Sequence, residues 1–109
     1  MSLFSFLDFR KEKEFAAELA NFISREISPQ QLRDNAHKLS INAVTRSVEK
    51  MYQRALEYQE RQPRMGWVRR SVLANQLKWS LRDKGYDEGF VDMATEGLVI
   101  KLAGIRKRA

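Results

Sequence analysis

Chain breakers are scarce in this sequence, and their placement limits it to a few long segments. Its 109 residues contain two prolines, Pro29 and Pro63, and five glycines, at positions 66, 85, 89, 97 and 104. Proline removes a backbone donor and clashes with the preceding helical turn, and glycine loses the most freedom on becoming helical. The stretches between them are rich in Ala, Leu, Glu, Lys, Arg and Gln, the residues that lose least on entering a helix. Long helices are thereby favoured over many short strands. With 43% apolar and 31% charged residues, the chain is composed as a folded domain, and its length suits one core. The expectation is one all-α domain over residues 1–109, with four or five helices in a bundle-like, oligomeric array. Residues 1–7 are expected to be flexible or interface-forming, and 105–109 form a basic tail.

The apolar spacing divides the chain further. From Asp8 to Ile27, Phe15, Leu19, Phe22 and Ile23 recur at the intervals of an amphipathic helix, with Lys11, Glu14, Glu18 and Arg25 left for solvent. Ser28-Pro29-Gln30-Gln31 reads as a capping box that opens the next segment. That segment runs to Gln62 and carries a heptad seam through Ile41, Val44, Val48, Met51, Ala55 and Tyr58. Its phase changes near Ser40 to Asn42, which leaves open one helix or two. A third helix, from Gly66 to Gly85, has two apolar stripes, Trp67, Leu73, Ala74, Leu77 and Leu81 on one side and Val68, Val72 and Trp79 nearly opposite. Two stripes imply a helix covered on both sides, either within the monomer or between the core and a second subunit. The heptad seam and the second stripe together make Val44, Val48, Met51, Val68, Val72 and Trp79 the expected oligomer interface. The fourth helix, Tyr86 to Ala103, should bury Tyr86, Phe90, Met93, Leu98 and Leu102, with Gly97 making room for a bulky neighbour such as Trp67 or Trp79.

Charge is segregated along the chain. Residues 1–60 hold nine basic and nine acidic side chains, whereas 61–82 hold Arg61, Arg64, Arg69, Arg70, Lys78 and Arg82 with no Asp or Glu. Asp83, Asp87, Glu88, Asp92 and Glu96 follow, and the tail turns basic at Arg106, Lys107 and Arg108. The net charge is +6. Arginine grips phosphates and stacks on bases, and an aromatic ring offers a platform for an unpaired base. The nine cations just named, with Trp67, are therefore the candidate nucleic-acid-binding residues. The competing reading makes the tryptophans core and pairs the arginines with Glu88, Asp92 and Glu96.

Two stretches resemble known families. Gln31 to Val48, with Leu32, Ala36, Ser40, Ala43, Val44, Thr45 and Arg46, resembles a bacterial helix-turn-helix, which implies that Asn42, Thr45 and Arg46 face a major groove. The turn has one residue too many for that motif, with His37 and Lys38 where a glycine is usual, and a continuous amphipathic helix is the competing reading. The N-terminus, Leu3, Phe4, Phe6, Leu7 and Phe9 before Arg10 and Lys11, is similar to the short membrane-targeting N-terminus of bacterial Min-system division-site factors. Packing against the core or a second subunit is the favoured alternative to membrane contact there.

Catalytic signatures are missing from the sequence. Without cysteine there is no disulfide, thiolate metal site or thiol nucleophile. The lone His37 has no nucleophile or carboxylate constellation, and the acidic row of the last helix lacks the second ligand set a cation needs. No enzyme, cofactor, metal or small-molecule substrate is expected, and the apolar N-terminal run is too short for a signal peptide or a membrane span. The leading expectation is a cytoplasmic helical protein that binds nucleic acid. The alternative is an adaptor or oligomeric assembly subunit in which nucleic acid plays no part.

Overall fold

A computed structural model describes residues 9–34, 41–62 and 65–104. These form five helices: α1 (Arg10–Glu26), α2 (Pro29–Asp34), α3 (Ile41–Arg61), α4 (Trp67–Asp83) and α5 (Glu88–Ala103). The capping box works in both directions, since Gln31 N donates to Ser28 Oγ at 3.1 Å and Ser28 N donates to Gln31 Oε1 at 2.9 Å. Helices α2 and α3 flank the phase change near residue 41, and residues 35–40 between them lie outside the described residues. Asp87 caps α5, its side chain accepting from Phe90 N at 2.8 Å. Gly85 ends the turn after α4 at φ 96°, a left-handed conformation natural to glycine, and its carbonyl accepts from Arg33 Nη1 at 2.8 Å.

The four long helices pack as a ring in the order α1, α3, α5, α4. Cross-links fix their directions. Glu12 of α1 meets Tyr58 of α3, and Glu26 meets Ser47 and Lys50, so these two helices are antiparallel. Arg70 of α4 reaches Leu102 of α5, and Arg82 reaches Glu88, so that pair is antiparallel as well. Glu12 also meets Arg69, while Ile27 at the other end accepts from the Tyr86 hydroxyl, so α1 and α4 run together. Leu19, Ile23, Met51, Leu73, Leu77, Leu81 and Leu98 fill the centre and are essentially inaccessible. Each such side chain contributes roughly 2 kcal/mol through removal of its apolar surface from water.

Several expected placements are corrected by this packing. Val48 and Met51 are buried within the single chain and Val44 packs partly against the same core, so these three face α1 and α5, whereas Ile41 at the start of the seam is 82% exposed. Trp67 is 73% exposed and does not share the buried stripe of Leu73, Ala74, Leu77 and Leu81. Met93 is 44% exposed, while Val91 and Ala94 take the core positions of α5. The neighbour that requires Gly97 is neither tryptophan but Tyr52, whose Cζ lies 2.7 Å from where a Cβ would stand and whose hydroxyl is closer still. That close approach lets Tyr52 donate to Ala94 O at 3.0 Å.

Candidate nucleic-acid interface

The directions of the helices gather basic segments that are far apart in sequence. The start of α1, the end of α3, the start of α4 and the end of α5 all meet at one end of the ring, joined by Glu12–Tyr58, Glu12–Arg69, Gln59–Leu102 and Arg70–Leu102. Arg10, Lys11, Lys13, Arg61, Arg69, Arg70 and Lys101 lie on those segments, against Glu12, Glu14, Glu57 and Glu60, and Lys101 reaches Glu49 of α3 at 3.7 Å. Seven cations face four carboxylates there. At the other end Arg25, Arg33, Arg46, Lys50, Lys78, Arg82 and Lys84 are nearly balanced by Glu26, Glu49, Asp83, Asp87, Glu88 and Asp92. The net positive charge is thus concentrated at one end of the molecule.

That basic end is organised around a buried carboxylate. Glu12 is 1% exposed, and a bare buried carboxylate is costly unless it is paired and hydrogen-bonded. Arg69 Nη1 donates to its Oε1 at 2.8 Å, and the Tyr58 hydroxyl donates to its Oε2 at 3.0 Å. Tyr58 stacks on Phe15 with centroids 4.1 Å apart, and the Arg69 guanidinium lies over Phe9 at 5.5 Å. Burial and the bond to Glu12 push the Tyr58 hydroxyl up to about 12. Arg69 is therefore a structural cation. Glu12 is legible in principle, because it shares the spacing of Ala16, Leu19 and Ile23 on the apolar face of α1.

The other expected site residues divide by position. Arg61 is exposed at the end of α3 and lines a cleft with Lys11, Phe15 and Tyr58. Arg70 is half-buried, with Nη1 3.4 Å from Leu102 O in the last turn of α5, where a cation complements the unpaired carbonyls. Trp67 stands at the same end with its indole exposed. Arg82 belongs to the opposite end, where it grips Glu88 through Nε and Nη2, each at 2.7 Å, and covers Trp79 at 5.1 Å. The hydrogen bond from Arg82 holds the Glu88 carboxyl below its usual range. Half-buried Lys78 lies on the same stretch of α4. Arg64, Arg106, Lys107 and Arg108 lie outside the described residues, although Arg64 is one residue before Met65 and the tail follows Gly104 directly.

The two family resemblances are touched only in part. Asn42, Thr45 and Arg46 are exposed on the first turns of α3, while residues 35–40, which would form the turn, lie outside the described residues. Of Leu3 to Phe9 only Phe9 is described, half-buried beneath Arg69. The cleft between α1 and α3, lined by Phe15, Glu18, Leu19, Arg54, Glu57 and Arg61, measures about 170 Å³, and the open groove that adjoins it, lined by Phe22, Lys50, Gln53, Arg54 and Glu57, about 430 Å³. Among the described residues no cluster of His, Asp or Glu could hold a metal ion, and no helix is long and apolar enough to cross a membrane. The chain matches no known protein family, no curated protein and no solved structure.

Proposed function

We propose that this protein is a non-enzymatic helical module that binds nucleic acid through the basic end of its bundle. The observation that carries the reading is the convergence of the basic segments of α1, α3, α4 and α5 at one end. Arg61, Arg70 and Lys11 supply phosphate contacts there, Arg64 and the tail Arg106, Lys107 and Arg108 adjoin them in sequence, and the exposed Trp67 offers a stacking surface for an unpaired base. Arg69 holds Glu12 and Arg82 holds Glu88, so neither is assigned a phosphate. A single-stranded ligand fits better than a duplex, because stacking on Trp67 needs a base free of its pair. The cytoplasm is the compartment this partner implies.

Fluorescence anisotropy with labelled single- and double-stranded oligonucleotides tests the proposal. Binding should weaken steeply with salt, and Arg61→Ala with Arg70→Ala should lower the logarithmic salt slope by about 2, close to one per phosphate contact. Trp67→Ala should weaken the single strand by roughly 1–3 kcal/mol. Absence of binding at low salt would end this reading.

A second reading, self-association, is favoured by a different observation. Val68 and Trp79 are 40% and 52% exposed on the side of α4 turned away from the core, with Val72 half-buried between them. Three large apolar side chains in one stripe beside a polar surface are characteristic of an interface.

A further inference from the structure

We infer that the groove between α1 and α3, where it opens onto the basic end, is a pocket for one guanine base of the bound single strand. The inference rests on the nucleic-acid reading and names the base that the site selects.

The groove is continuous with the basic end. Lys11, Glu14, Phe15 and Glu18 follow one another at steps of one, three and four, so they share one side of α1. With Tyr58 and Arg61 of the antiparallel α3 they line a cleft of about 220 Å³. The cleft of about 170 Å³ further along the groove shares Phe15, Glu18 and Arg61 with it. Lys11 and Arg61, already assigned to phosphates, therefore stand at the mouth of a cavity that a base of the same strand reaches.

Its floor is aromatic. Tyr58 is buried and stacks on Phe15, with centroids 4.1 Å apart and ring planes 9° apart. Phe15 is half-buried and lines both clefts, so part of its ring is left for a ligand. A planar base laid there extends a stack that already exists.

The polar lining then sorts the ligands. Glu14 and Glu18, with Glu57 in the adjoining cleft, have no hydrogen bond or ion pair among the described residues. A phosphate inside the groove would meet these carboxylates, and a cationic ligand would meet Lys11 and Arg61. A neutral base meets neither obstacle. An ionised carboxylate only accepts hydrogen bonds, and guanine alone among the bases sets two donors side by side, N1–H and the N2 amino group, on the edge that an unpaired base exposes. One carboxylate takes both at once, as it takes the fork of an arginine. Adenine and cytosine place an acceptor beside their amino group, and thymine flanks its single donor with two acceptors, so each turns a lone pair towards the carboxylate. Glu18 lines both clefts and is assigned the guanine edge.

Fluorescence anisotropy with labelled thymine-run oligonucleotides that differ only in one central base, guanine, inosine or adenine, tests the pocket. Inosine keeps N1–H and lacks the amino group. The guanine strand should bind about tenfold more tightly than the other two, and the ratio should be nearly independent of salt because the phosphates are the same. Glu18 is exposed, so Glu18→Gln should keep the circular dichroism of the parent. It should bring the three strands to similar affinity without weakening the adenine strand, since it removes a negative charge from a surface that binds phosphates. Equal binding of the guanine and inosine strands by the parent overturns the pocket and leaves the basic end as a nucleic-acid interface. A guanine preference that survives Glu18→Gln overturns the pocket as well. No binding of any strand at low salt overturns both the pocket and the nucleic-acid reading.

Discussion

Gly97→Ala should destabilise the bundle by about 2 kcal/mol, even though alanine is the better helix former. The propensity term alone would stabilise α5 by roughly 1 kcal/mol. Against it, the new methyl would stand 2.7 Å from Tyr52 Cζ and closer still to Oη, where ordinary contact begins near 3.4 Å. The ring would have to retreat by about an ångström to restore that contact. Tyr52 is only 5% exposed, and its hydroxyl is bonded to Ala94 O at 3.0 Å, so retreat breaks that bond as well. Overpacking of this kind costs roughly 1–3 kcal/mol, and stranding the buried hydroxyl adds roughly 1–2 kcal/mol. Subtracting the gain in propensity leaves a net loss near 2 kcal/mol, or a melting temperature lower by roughly 8–10 °C in a domain of this length. Urea and thermal unfolding followed by circular dichroism would measure it. In a Tyr52→Phe background, which lacks the closest atom, the same substitution should cost about 1 kcal/mol less. A Gly97→Ala protein as stable as the parent, or an equal cost in both backgrounds, refutes the steric argument.

Glu12→Ala leaves Arg69 and the Tyr58 hydroxyl without their shared acceptor, and should lower stability by roughly 3 kcal/mol in urea titrations; replacing Glu12 and Arg69 together by leucine should cost less than the sum of the single changes. Alkali should unfold the protein through its three tyrosines. Burial raises Tyr52, Tyr58 and Tyr86 from 10.0 to about 12, with Glu49 adding to the first and the bond to Glu12 adding to the second. A raised folded value favours the neutral form, so this contribution is complete below pH 10 and is lost as pH rises towards 12. Tyrosinate absorbance recorded beside helicity should show little ionisation while the fold persists, and tyrosines that ionise near 10 in the folded chain would contradict it.

The parts that can be read in sequence are those governed by local spacing. Phe15, Leu19, Phe22 and Ile23 reveal α1 because one face of a surface helix must be apolar, and Ser28 with Gln31 marks α2 because a capping box is complete within four residues. Helix α4 resists the same logic. Its two stripes leave the choice of buried side to partners outside the helix, and Trp67, at the edge of the core stripe in the first turn, lies beyond the cover of α1 and α5. Gly97 is legible as a place of close approach, but Tyr52 lies 45 residues earlier and only the pairing of α3 with α5 brings it there. The basic end is the least legible feature. Charge along the chain marks Arg61 to Arg82 as one strip, whereas the fold divides that strip, leaving Arg61 and Arg70 at one end and Lys78 and Arg82 at the other beside their carboxylates.

Chemical-shift mapping with a short single-stranded oligonucleotide tests the location of binding most directly. The reading expects the largest shifts at Lys11, Arg61, Trp67, Arg70 and Lys101, fading as salt rises. Shifts centred on Asp87 to Asp92, or a spectrum unchanged at low salt and saturating oligonucleotide, would contradict the assignment of the basic end as a nucleic-acid interface.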